Sequence, residues 1–271
     1  GSLDASRDHR AGQRHFAAVV LVAVSCLGIG VRAVADHHSI PVVLHLDHAT
    51  DLDALILPGG FAHGDYLRTG AIARFSPVMA EVERLAAAGT PVLGICNGFQ
   101  ALVNLGLLPG FDGDYQTRSV ALTFNDCGNF RDDWVTLKID TRSSCVFTKG
   151  LDVIDLPIRH GEGKFVTAPD VIARLEAHHQ IAARYARPDG ALAEGAFPHN
   201  PNGSLDDIAG ICDPTGRVFG LMPHPEGFNH WSNHPLWTRQ AEVRRRSGQS
   251  ALPEGLTPGV RIFRNAVEAL T

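Results

Sequence analysis

Residues 91–108, PVLGICNGFQALVNLGLL, decide the fold. Pro91–Ile95 is an apolar run of strand length. Phe99–Leu108 is an apolar stretch of helical composition that stops before Pro109 and Gly110, a pair that ends helices. Between the two sits Cys96, flanked by Gly94 and Gly98. A strand that turns sharply into a helix brings two backbones together, so it needs glycine on both sides of the turn. The side chain at the turn then stands at the end of the sheet, with the positive end of a helix beneath it. A thiol held there is biased toward thiolate. The next N–H, on Asn97, is placed to donate to an oxyanion. A buried, inert cysteine is the usual fate of this residue type, but that reading leaves both glycines unexplained.

The elements around this turn alternate. Strand candidates run over 17–24, 41–46 and 53–57. Pro77–Ala88 is a helix candidate closed by Gly89. Short apolar strands alternating with helices indicate a parallel α/β sheet. The middle of the chain is richer in strands, at 119–124, 134–139 and 156–158. Ile208–Cys212, the turn 213–216 and Arg217–Leu221 read as a hairpin. Pro258–Leu270 is an amphipathic closing helix, and 227–257 reads as a loop-rich insertion. The expected fold is α/β: an open, mostly parallel (flavodoxin-like) sheet flanked by helices, with one site at its carboxyl edge.

Composition narrows the function. The chain has 271 residues, 44% hydrophobic and 20% charged, with a formal net charge of −5. It can bury a full core, and no basic run exists to track phosphates, which excludes a general nucleic-acid binder. Five cysteines at wide spacing give neither a disulfide framework nor a metal knuckle, so no metal site is expected. Residues 1–15 read as a disordered tail whose Gly1-Ser2 is an expression scar, and 16–271 as one domain. Residues 16–31, FAAVVLVAVSCLGIGV, carry no charge. Two readings fit them: a buried first strand of a parallel sheet, or the apolar part of a secretory signal within residues 1–35, with Ala33-Val34-Ala35 as a cleavage site. The strand reading supplies the first strand that the fold requires, and it goes with a cytoplasmic protein without a membrane segment.

Two further motifs carry chemistry. His224 and Glu226, in LMPHPE (221–226), follow an apolar strand, so they fall at a strand's carboxyl end. A histidine there can serve a cysteine as base, and a carboxylate two residues on can hold the imidazole. Gly59 and Gly60, in LPGGF (57–61), also follow a strand, and they permit close approach of a backbone to a ligand. Gly60 is expected to supply a second oxyanion donor beside Asn97. PVVLHLDH (41–48) resembles a strand-end motif of metal-dependent aldolases through Asp47 and His48, with His45 and His48 as a metal pair, but the chain lacks the barrel pattern of that fold.

These motifs, in this order, resemble class I glutamine amidotransferases. The segments LPGGFAHGDYLRTGAIARFSP (57–77), GICNGFQAL (94–102), RHGEGKF (159–165), NPNGS (200–204), IAGI (208–211) and GLMPHPE (220–226) are most similar to the glutaminase subunits of phosphoribosylformylglycinamidine synthase. The resemblance implies Cys96 as nucleophile, His224 as base and Glu226 as its orienter. It implies oxyanion donors at Gly60 and Asn97, and glutamine contacts at Gly59, Phe61 and Gln100. Residues 159–165 and 125–130 are implied as pocket walls or partner contacts. It further implies no cofactor on this chain, with ATP and Mg bound by a partner. The partners implied are glutamine and a large synthase subunit, with or without a small accessory subunit, in purine biosynthesis. Two other functions remain open at this point: a degenerate subunit that only binds a partner, and another cysteine hydrolase of the same fold. The family opens with a Pro-Gly-Ser-Asn-Cys-Asp turn where this chain has Val24-Ser-Cys-Leu-Gly-Ile-Gly30, so the first βα unit departs from it.

Overall fold

The computed structural model describes residues 19–21, 42–43, 52–60, 74–76 and 78–270. The expected tail at 1–15, the two histidines at 45 and 48, and Phe61 lie outside the described residues, as do both ends of the 16–31 run. Among the described residues, nine strands form one sheet, in the order β2-β1-β3-β4-β11-β10-β9-β6-β7. These are β1 (Val19–Leu21), β2 (Val42–Val43), β3 (Ala54–Leu57), β4 (Val92–Ile95), β6 (Arg131–Ile139), β7 (Val153–His160), β9 (Ile181–Ala186), β10 (Ile208–Cys212) and β11 (Val218–Leu221). A separate antiparallel pair joins β5 (Val120–Thr123) to β8 (Lys164–Thr167).

The sheet is mixed. Strands β2, β1, β3, β4 and β11 are parallel. From β11 outward, through β10, β9, β6 and β7, every pairing is antiparallel. The expected α/β sheet is present, and its parallel half carries the elbow. In the other half β10 and β11 form a tight hairpin across residues 213–217, and the remaining antiparallel neighbours are joined by longer segments. Strands β3, β4, β10 and β11 are buried along their whole length, as strands covered on both faces must be. Strand β6 alternates over Val135–Ile139, in keeping with one covered face.

Among the described residues, five helices accompany the sheet: α1 (Val78–Ala87), α2 (Asn97–Leu105), α3 (Pro169–Ala177), α4 (Trp237–Arg246) and α5 (Pro258–Glu268). Helix α2 buries nearly every residue against β4, β11 and β5. Helix α5 starts with Thr257 as N-cap, its hydroxyl accepting from the Val260 N–H, and with Pro258 at the first helical position. The segment 227–257 is not loop throughout, since α4 lies within it. Its sequence, WTRQAEVRRR, buries only Ala241, so it carries almost no apolar stripe by which a helix is recognised. Strand β9 was also missed: IAARYA is rich in alanine, a helix former, and becomes strand because β10 and β6 bracket it. Among the described residues, no helix is long and apolar enough to cross a membrane.

One of the tightest contacts among the described residues lies under the elbow. A Cβ built on Gly98 would stand 2.0 Å from the Leu57 carbonyl oxygen. That oxygen belongs to the backbone of a central strand and cannot rotate away. Gly98→Ala is therefore expected to destabilise the protein at or beyond the upper end of overpacking losses, about 3 kcal/mol or more. Thermal unfolding or soluble yield measures it, and a variant as stable as the parent would refute this packing.

Candidate functional site

Cys96 links β4 to α2 with φ 50° and ψ −104°. A non-glycine residue in that region is strained, at a cost of about 1–3 kcal/mol. The neighbours hold it there. Its N–H donates to the Leu221 carbonyl (2.8 Å), and its carbonyl accepts from the Gln100 N–H (3.1 Å). Strands β4 and β11 run parallel with Ile95 opposite Leu221. Each strand therefore releases its following segment at the same level, Cys96 from one and His224 from the other.

His224 is buried. Its backbone N–H donates to the Pro157 carbonyl on β7 (2.7 Å), and its Nδ1 donates to Glu226 Oε1 (2.5 Å). Burial opposes charge on the ring, but the Glu226 carboxylate and then the Cys96 sulfur outweigh it, so His224 is raised well above the ordinary imidazole range. The ring's Nε2 is buried without a hydrogen-bond partner. Gly59 completes the cluster. A Cβ there would lie 2.6 Å from His224 Cε1 and 3.2 Å from the Cys96 Cβ, so only glycine brings this backbone so close.

A cavity of about 140 Å³ opens at this point, lined by Gly59, Gly60, Cys96, Asn97, Gln100 and His224 with Glu226. All of the residues expected at the site that are described therefore meet in one place. Phe61, the remaining one, lies outside the described residues. Asn97 is the first residue of α2, so its N–H has no acceptor within the helix. Gln100 accepts from Asn97 Nδ2 (2.9 Å) and donates to the Glu162 carbonyl (2.7 Å).

The remaining wall is the strip from Phe130 to Asp132 and from Arg159 to Glu162. It includes segments expected as walls, and the structure adds what braces them. Asn125 Nδ2 donates to the His160 and Asn129 carbonyls (2.8 and 3.0 Å), while its Oδ1 accepts from the Gly163 N–H (3.1 Å). That oxygen also faces His160 Nδ1 at 3.1 Å. A carbonyl oxygen only accepts, so Nδ1 carries the proton. On the far side, Asn202 donates to the Gly163 carbonyl and to the Tyr185 hydroxyl (2.9 and 3.1 Å). The Ser204 hydroxyl accepts from the Phe165 N–H (2.9 Å). The segment NPNGS thus acts as a buttress. Just past Glu226 in the chain, Phe228 packs in T-shaped contacts with Trp134 (5.0 Å) and Trp231 (5.5 Å), and His234 makes a T-shaped contact with Trp134 at 4.8 Å. The sequence assigns no role to Trp134 or Tyr185, and it includes His160 only within the expected 159–165 wall. Their signal is spatial, in partners far along the chain. Among the described residues, no group of three or more His, Cys, Asp or Glu side chains is arranged to hold a metal ion.

Comparison with known proteins follows this geometry. Residues 26–269 match the model of the CobB/CobQ-like glutamine amidotransferase domain. The chain is 40% identical over 221 residues to phosphoribosylformylglycinamidine synthase subunit PurQ of Methanococcus maripaludis, covering 80% of each chain. It is 49% identical over 177 residues to the subunit of the same name from Moorella thermoacetica, covering 64% of this chain and 69% of that one. Among solved structures it is similar to a chain of PurLQS from Thermotoga maritima, with 30% identity and a TM-score of 0.66, covering 94% of this chain and 98% of that one.

His160 generates a pH prediction. Burial and then the positive His224 push its pKa down from 6.5 to about 3. Between those values the unfolded chain takes up a proton that the folded chain refuses. The stability contributed by neutral His160 is thus complete above pH 6.5 and is lost as pH falls toward 3. His160→Gln removes this term. The gap between parent and variant urea midpoints is expected to narrow from pH 7 to pH 4, and a constant gap would show that His160 titrates normally.

Proposed function

Because the chain belongs to the CobB/CobQ-like glutamine amidotransferase family, we propose that it is the glutaminase subunit of phosphoribosylformylglycinamidine synthase, supplying ammonia for purine biosynthesis in the cytoplasm. One observation carries the reading: a strained cysteine and a carboxylate-held histidine share one cavity. The names of its relatives support the same assignment.

The chemistry follows from these groups. The Cys96 sulfur, whose proton already rests on the positive His224, attacks the side-chain carboxamide carbon of glutamine as thiolate. The carbonyl oxygen becomes an oxyanion, for which the N–H groups of Gly60 and Asn97 are the donors in this reading. The tetrahedral intermediate collapses, the C–N bond breaks, and His224 returns the proton to the departing ammonia. Water, deprotonated by His224, then cleaves the γ-glutamyl thioester to glutamate and free thiol. Glu226 holds the imidazole so that Nε2 faces the reaction, and it stabilises the imidazolium that forms. Gln100 anchors the Glu162 wall, and Gly59 and Phe61 complete the glutamine contacts. The electrons and protons balance without a resident cofactor. ATP and Mg belong to the large synthase subunit, which receives the ammonia, with or without a small accessory subunit.

Two substitutions test the assignment. Cys96→Ala is expected to abolish glutamine-dependent synthesis by the assembled complex while ammonia-dependent synthesis continues. Persistent glutamine use would remove Cys96 as nucleophile. Glu226→Gln keeps the size and a hydrogen bond but loses the charge. Glutamine turnover is expected to fall steeply at nearly unchanged KM, with the loss in a serine triad, on the order of 10⁴, as its ceiling. A rise in KM alone would make Glu226 part of the glutamine pocket.

A further inference from the structure

Strands β6 and β7 pair antiparallel with Asp132 opposite Arg159 and Trp134 opposite Pro157. Side chains two apart on a strand share a face. The face holding Pro157 is fixed by its neighbour: a Cβ on Gly227 would touch the Pro157 ring at 2.6 Å. The face holding Trp134 is fixed by its edge contact with Phe228. Arg159 and Asp132 therefore extend the same ledge, alongside the segment that carries His224 and Glu226. Both line the cavity. The Arg159 carbonyl is 3.7 Å from the Cys96 sulfur, which puts this residue beside the reacting centre.

The charges on the cavity wall are unequal. Asp132, Glu162 and Glu226 bring three carboxylates, and Arg159 is the one permanent cation among the described lining residues. Glutamine enters with a carboxylate and an ammonium on its α-carbon, three carbon–carbon bonds from the amide carbon. At the outer end of the cavity, away from His224, its carboxylate has Arg159 as the one permanent cation among the described lining residues. Arg159 and Asp132 meet in a single long contact, Nε to Oδ1 at 3.5 Å, with both side chains more than half exposed. A guanidinium carries five N–H donors in a planar fork, and this contact uses one edge of it.

We propose that Arg159 and Asp132 form a clamp for the α-carbon of glutamine, Arg159 taking the carboxylate and Asp132 the ammonium. The inference rests on the glutaminase reading and adds to it the pair that selects the free amino acid. The bound substrate converts a weak surface ion pair into an alternating ring of four charges, each group facing two of opposite sign. Selectivity follows from the groups a poorer substrate leaves unmatched.

The test uses three amides with the chain assembled with its synthase partner: L-glutamine, glutaramate, which lacks the ammonium, and 4-aminobutanamide, which lacks the carboxylate. The readout is kcat/KM for ammonia release, or protection of Cys96 from iodoacetamide where turnover is slow. Arg159→Gln is expected to weaken glutamine and glutaramate by about tenfold or more, the scale of a charge-assisted hydrogen bond, and to spare 4-aminobutanamide. Asp132→Asn is expected to weaken glutamine and 4-aminobutanamide and to spare glutaramate. Equal losses on all three amides, or no loss on any, overturn the clamp while glutamine turnover by the parent still upholds the glutaminase reading. If the parent releases no ammonia from glutamine, that reading falls, and the clamp with it.

Discussion

One hydrogen bond, from the Cys96 N–H to the Leu221 carbonyl, ties the two halves of the candidate site together. Cys96 and His224 are far apart in sequence, yet they emerge from neighbouring parallel strands in fixed register. A register slip of one residue would move one of them by about 3.3 Å and turn its side chain to the other face. The strain in the Cys96 backbone persists because this bond, the Gln100 N–H and the packing of Gly98 on Leu57 leave it no other conformation. Geometry that a loop would hold loosely is set here by the sheet.

Electrostatics divides the two buried histidines. They feel the same low-dielectric surroundings and move in opposite directions. His224 has a carboxylate on its Nδ1 and a sulfur nearby, so its charged form is favoured. His160 has only an amide oxygen on its Nδ1, and the positive His224 disfavours a second charge beside it. One histidine is suited to carrying a proton, and the other holds the wall in a single tautomer. The partner of Nδ1 makes the difference.

The sequence was informative where residues act locally. The elbow is legible because Gly94, Cys96 and Gly98 lie within one turn, and the His224–Glu226 pair because two residues separate its members. The parallel strands around them were readable as continuous apolar runs. The antiparallel half was less so. Strand β9 has the composition of a helix and is made a strand by its neighbours, and α4 hides in a segment without an apolar stripe. The buttress around Gly163 draws on Asn125, His160, Tyr185, Asn202 and Ser204. These residues have no shared spacing, so only the folded chain brings them together. The same holds for Asp132 and Arg159, whose pairing depends on the register of two strands.

The aromatic group just past Glu226 has an optical consequence. The chain contains three tryptophans. Trp134 and Trp231 both make T-shaped contacts with Phe228, and Trp237 opens α4 a few residues further on. Two of the three indoles therefore sit on Phe228, just past the segment that carries the histidine and its carboxylate. The His234 ring lies 4.8 Å from Trp134 and belongs to the same cluster. The protein thus carries an intrinsic fluorophore cluster next to the His224–Glu226 segment, so a rearrangement there can be followed in the unlabelled chain.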